Sequence, residues 1–106
     1  MQLAEQVYEL TKKFPKEELY GITSQIRRSA ISVPSNIAEG SGRRSNKDFI
    51  RFLNIASGSL AELETQLTLC RNLEFITDTD LQNTPELINR VGMMITKLRH
   101  SLDDKR

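Results

Sequence analysis

Six cations between residues 27 and 51 are the part of this chain best suited to hold a ligand: Arg27, Arg28, Arg43, Arg44, Lys47 and Arg51. A guanidinium offers a planar fork of N–H donors that matches the oxygens of a phosphate. Several such groups on one surface would neutralise nucleic-acid phosphates and release their counterions. The opposite reading is a solvated charged surface, with Glu39 and Asp48 as ion-pair partners. Residue types alone leave both open. Aromatic rings for stacking bases are sparse beside these cations, and Phe49 and Phe52 are committed to packing. The pattern therefore favours structured RNA or DNA held by its backbone over sequence-specific single strands.

Catalysis needs convergent reactive groups, and the sequence offers few. His100 stands alone as the one histidine, expected on a solvated surface. Cys70 is the one cysteine, so it has no CxxC partner for zinc and no intrachain disulfide partner. It falls at an apolar position, where a buried thiol is expected. Gly40-Ser41-Gly42-Arg43-Arg44-Ser45 looks like a phosphate loop but lacks the GxxxxGK[ST] spacing and a preceding strand. A ribonuclease motif of Arg, then four to six residues, then His would need an arginine at Met93, Met94 or Ile95. The expectation is a protein that is not an enzyme, with no cofactor and no metal site.

Whatever these residues do, a helical scaffold must position them. The chain has 106 residues, 38% hydrophobic and 27% charged, which fits one domain over 1–106. No apolar run approaches the roughly 18 residues of a membrane span. The opening residues are amphipathic and carry acid, unlike a signal peptide, so a cytoplasmic protein is expected. Net charge is +1, unevenly spread. Residues 27–54 carry six bases and two acids, and residues 55–96 carry two bases and six acids.

Phe49, Leu53, Ala56, Leu60, Leu63, Leu67 and Cys70 recur at alternating steps of four and three, the mark of a helix buried along one face. Ser45 is its N-cap, with Asp48 in a capping-box position, and it should run to about Glu74. Before it, Leu3, Val7, Leu10 and Phe14 define a first helix that Pro15 ends. A second helix should start near Lys16 or Glu17 and bury Leu19, Ile22, Ile26, Ala30, Val33 and Ile37. Pro34 should kink it without ending it, and Gly40-Ser41-Gly42 makes the turn. A polar loop, Thr77 to Asp80, leads to a last helix with Thr84 as N-cap and Pro85 in its first turn. Its apolar face is Ile88, Val91, Ile95, Leu98 and Leu102, and its tail, Asp103 to Arg106, should fray. Short connections make neighbours antiparallel, so the expected fold is all-α, an antiparallel up-down-up-down four-helix bundle.

That architecture predicts where the cations meet. In a hairpin turning near Gly40 to Gly42, Arg28 and Arg51 should reach similar heights, with Lys97, Arg99 and His100 near the same end. The other end should be negative, with Asp78, Asp80 and Glu86. A second surface also stands out. Tyr20 and Ile31 lie off the main stripe of the second helix. Asn54, Gly58 and Thr65 form a small, mildly polar strip opposite the seam of the third. A helical glycine facing only water costs about 1 kcal/mol against alanine, so a subunit interface is expected at these five residues. Asn36 and Glu39 are expected as a buried polar pair tying the kinked helix end to the turn.

Three runs carry a family resemblance. They are Phe14-Pro15-Lys16-Glu17-Glu18-Leu19-Tyr20-Gly21, then Thr23-Ser24-Gln25-Ile26-Arg27-Arg28-Ser29-Ala30, then Ser32-Val33-Pro34-Ser35-Asn36-Ile37-Ala38-Glu39-Gly40. With the block from Phe52 to Thr65, they resemble the bacterial four-helix bundle proteins also called 23S rRNA intervening-sequence proteins. The resemblance implies an up-down bundle that assembles as a ring of five, a homopentamer. It also implies a gene sometimes carried inside ribosomal RNA inserts. Members usually carry several residues ahead of the place of Met1, which implies a short first helix here. A related branch comprises accessory variability determinants of diversity-generating retroelements. That kinship implies nucleic acid and a reverse transcriptase as partners.

Two functional expectations follow. The first is a non-enzymatic oligomer that binds RNA or DNA through the six cations. The second is a protein-interaction scaffold, for example an accessory subunit for a reverse transcriptase.

Overall fold

The computed structural model describes residues 1–103, and among them every regular element is helical. The helices are α1 (Gln2–Thr11), α2 (Ile22–Ser41), α3 (Asn46–Asn72), a short α4 (Asp78–Leu81) and α5 (Thr84–Asp103). The four long ones pack against one another as a bundle 48 Å long and 24 by 19 Å across.

The seam of α3 forms the centre. Leu53, Ala56, Leu60, Leu63, Leu67 and Cys70 are all buried, and Phe49 packs against them partly buried. Leu3, Val7 and Leu10 of α1 close the core from one side. Ile26, Ala30 and Val33 of α2 and Leu87, Ile88, Ile95 and Leu102 of α5 complete it.

Polar contacts set the directions of the helices. Ser32 meets Ser59, and Gly40 lies against Phe49 and Phe52, so α2 and α3 are antiparallel. Arg99 reaches Asn54 and Asn46 reaches the carbonyl of Leu102, so α5 runs back along α3.

Helix two begins at Ile22, later than expected. Lys16–Glu18 form a single 3-10 turn after Pro15. Gly21 then caps α2 at φ −107°, ψ −113°, a ψ far from the helical value of about −42°. That break swings Leu19 off the seam, and the residue is 44% exposed. Beyond the start, α2 runs unbroken through Pro34 to Ser41.

Helix three ends at Asn72, before the expected Glu74. Glu74 takes the left-handed conformation at φ 64°. The Phe75 N–H returns to the Cys70 carbonyl at 2.9 Å, and the Glu74 N–H to that of Arg71 at 3.0 Å. This paired closure is a Schellman motif. It delivers Phe75 onto Phe14, ring centroids 5.9 Å apart.

The expected polar loop contains α4, held by a reciprocal capping box between Thr77 and Asp80. Helix α5 starts one residue before the expected position. The Leu87 N–H bonds the Asn83 carbonyl at 3.0 Å, which places Thr84 inside the first turn rather than at the cap. The freed Thr84 hydroxyl accepts a bond from Gln6 Nε2 at 2.8 Å, tying α5 to α1. The expected frayed tail is helical at Asp103, and residues 104–106 lie outside the described part.

Candidate nucleic-acid interface

The turn between α2 and α3 is built tightly before it presents any charge. A Cβ placed on Gly40 would lie 2.8 Å from both Phe49 Cδ1 and Phe52 Cβ. Glycine is what lets the two helices close there. Ser45 Oγ then accepts the Asp48 N–H at 3.1 Å and starts α3.

Four of the six cations gather on this frame. The guanidiniums of Arg43 and Arg51 both lie over the Phe52 ring, at 4.8 and 4.6 Å from its centroid. Their contacts with the ring restrain two long side chains. Arg43 also pairs with Glu39 at 2.9 Å, and Arg51 approaches Asp48 at 4.0 Å. Arg44 and Lys47 are exposed, and neither has an ion-pair partner among the described residues. The turn thus carries four cations against two acids.

Arg27 and Arg28 belong elsewhere. Arg51 stands level with Gly40, whereas Arg28 lies twelve residues earlier on α2, about 18 Å away along the helix. The expectation of equal heights is therefore corrected, because the hairpin register set at Ser32 and Ser59 pairs Arg28 with the middle of α3. Arg27 donates from Nε to Thr11 Oγ1 at 2.8 Å and lies over Tyr8 at 4.8 Å. An open hollow of about 550 Å³ borders both arginines, with Tyr8, Leu19, Tyr20, Ser24, Ile31 and Ser32 completing its wall. Tyr20 is 94% exposed. Sequence reasoning missed these rings as neighbours of the cations. The available signal was Tyr8, which sits off the Leu3, Val7, Leu10 stripe.

The five expected interface residues divide as well. Tyr20 and Ile31 border the hollow. Gly58 and Thr65 are exposed on α3, and a Cβ on Gly58 would meet nothing within 4 Å. Ile55 and Leu69 are exposed large apolar residues at matching helical spacing. Asn54 turns instead toward α5, where its Oδ1 accepts from Arg99 Nη1 at 2.8 Å. That bond brings the α5 end to the cationic turn as expected, and His100 is exposed there.

Asn36 and Glu39 do not pair with each other. Asn36 donates back to Ser32, to its carbonyl at 2.8 Å and to its hydroxyl at 2.9 Å. Glu39 is exposed and binds Arg43. The expected negative end is partly balanced, since Asp80 pairs with Lys13 at 3.0 Å and Asp78 with Arg71 at 3.4 Å. The Thr77 N–H, with Lys13 beside it, holds the Asp80 carboxyl below the usual range. Burial, reinforced by Glu18, pushes the Cys70 thiol up to about 11.

Among the described residues, no three His, Cys, Asp or Glu side chains gather as a metal site would require. No described helix is long and apolar enough to cross a membrane. The family model of the 23S rRNA-intervening sequence protein matches residues 1–97. The chain belongs to that family. The match spans α1 to α4 and most of α5, so it covers both groups of cations. The family's function is not established. No curated protein matches the chain closely enough to serve as a relative.

Proposed function

We propose that this protein is a non-enzymatic helical bundle that assembles with copies of itself and holds structured RNA or DNA by its phosphates. The observation that carries the reading is the α2–α3 turn. Phe52 steadies Arg43 and Arg51, while Arg44 and Lys47 are exposed with no acidic partner among the described residues. Steadied guanidiniums lose less conformational freedom on meeting a phosphate. Self-assembly is supported by the outer strip of α3, where Ile55, Gly58, Thr65 and Leu69 are exposed together. In a closed ring the cationic turn would repeat on every copy, so weak contacts would add through multivalency.

The test is titration of a short RNA or DNA duplex at several salt concentrations. Affinity should fall steeply with salt, and reversing Arg43 and Arg44 to glutamate should abolish binding with helicity intact. Salt-independent binding, or unchanged affinity in the reversed variant, would refute the assignment.

One observation favours a second reading as a scaffold for a protein partner such as a polymerase. Met1, Leu3, Met93, Met94 and Leu98 border an open apolar hollow of about 830 Å³, and methionines adapt readily to a partner. A defined partner retained after nuclease treatment, and lost on Met94→Glu, would favour this reading.

A further inference from the structure

We infer that the hollow between α1 and the first half of α2 takes one unpaired nucleotide, with its base on Tyr20 and its phosphate on Arg28 and Arg27. The inference deepens the nucleic-acid reading and rests on it, but uses a surface separate from the α2–α3 turn.

The hollow has the chemistry such a ligand needs. Arg27 and Arg28 are consecutive on α2, and neither has a carboxylate partner among the described residues. No described acidic residue borders the hollow. Arg27 is already oriented, because its Nε is committed to Thr11 Oγ1 and its plane lies over Tyr8. The terminal nitrogens remain available, and a guanidinium held this way matches phosphate oxygens at small entropic cost. Ser24 adds a hydroxyl at the wall, suited to a ribose or base edge; the Ser32 hydroxyl is taken by Ser59 and Asn36.

Tyr20 supplies the platform. A tyrosine ring 94% exposed does not serve this chain's own core. Rings beside arginines are the means by which proteins stack unpaired bases. A volume of about 550 Å³ falls within the roughly 300–1,000 Å³ typical of small-ligand pockets. The base pairs of a duplex are stacked on each other and cannot reach such a ring, so the ligand is an unpaired nucleotide, either free or within a strand.

The experiment reads the site through its own chromophores. The chain has two tyrosines and no tryptophan, and both tyrosines border the hollow. Tyrosine fluorescence should quench saturably with a short oligoadenylate and with adenosine monophosphate. Tighter binding of the oligomer marks a strand as the source of the nucleotide, and equal affinity marks the free nucleotide. Tyr20→Leu should weaken binding roughly tenfold, in keeping with the loss of one base–aromatic stack. Arg28→Gln should weaken it further and flatten its salt dependence. Reversing Arg43 and Arg44 should remove duplex binding and leave the quench, so the two sites fail separately. Equal affinity for an oligomer carrying bases and an abasic one would overturn the inference. So would unchanged affinity after Tyr20→Leu. If Tyr20→Leu instead lowers the mass in light scattering and leaves the quench intact, the face belongs to a second copy of this chain, and the nucleotide site is refuted.

Discussion

Ser32 of α2 and Ser59 of α3 meet hydroxyl to hydroxyl, 2.7 Å apart, midway along the hairpin. Asn36 adds a second bond to the Ser32 hydroxyl at 2.9 Å. A polar contact among apolar neighbours holds only when the helices are in one register, so this pair fixes which residues of α2 face which residues of α3. Ser59→Ala should destabilise the bundle by about 1 kcal/mol in urea unfolding, the usual net worth of a hydrogen bond. Ser32→Ala with Ser59→Ala should cost less than the two separate losses combined, because one contact is counted twice.

Two glycines of the hairpin should respond in opposite directions. Gly40→Ala should destabilise by about 1–3 kcal/mol, because its methyl would be driven into Phe49 and Phe52. Gly58→Ala meets open space and should stabilise the single chain by up to about 1 kcal/mol through helix propensity. Thermal melts of both variants check the contrast. Gly58→Phe, measured by light scattering, reads the proposed assembly strip separately. Loss of mass supports the strip, and unchanged mass removes it.

Glu74 closes α3 in a conformation that disfavours side chains. Glu74→Gly should therefore stabilise the protein by about 1 kcal/mol. The gain should appear as a higher urea midpoint at unchanged slope.

The seam of α3 was legible because burial follows a strict period. Leu53, Ala56, Leu60, Leu63, Leu67 and Cys70 are each where the spacing puts them. Leu19 was misread because its apolar character fitted the stripe of α2, while the chain break at Gly21 is a backbone event with no periodic signature. The capping box of α4 was visible as Thr77 followed by Asp80 three residues later, yet the segment read as a plain polar loop. The cations were found as residues but not as groups. Their division depends on the hairpin register, which Ser32, Ser59 and Gly40 set through contacts between distant parts of the chain.

Cys70 has no exposed surface, and its thiol is pushed up to about 11 from its ordinary value of 9.0. The folded state therefore keeps its proton longer than the unfolded state. Stability linked to this group is full below pH 9 and declines as pH rises from 9 toward 11. Urea midpoints measured across that window should fall for the native chain and fall less for Cys70→Ala. At pH 8, a thiol reagent should label the folded protein only at the rate of its opening.

Glu39 competes with any phosphate for Arg43. Glu39→Gln should therefore raise duplex affinity at the α2–α3 turn by up to about fivefold, the equivalent of ~1 kcal/mol for an exposed ion pair. Fluorescence anisotropy of a labelled duplex provides the measurement. Lower affinity in this variant would mean that Glu39 aligns Arg43 and does not mask it.

The brevity of α1 has a dynamic consequence. Ten residues are too few to stay helical in isolation, so α1 persists only while Leu3, Val7 and Leu10 remain docked and Gln6 holds Thr84. The α2–α3 hairpin keeps its own clasp at Ser32 and Ser59 and need not open with it. Detachment of α1 should therefore cost less than opening the α2–α3 hairpin, and faster amide exchange in α1 than in α2 and α3 would check it. Detachment would carry Tyr8 and Thr11 away from Arg27 and remove the Tyr8 side of the hollow. Whatever settles in that hollow binds only the closed fraction of molecules and, by mass action, latches the first helix shut.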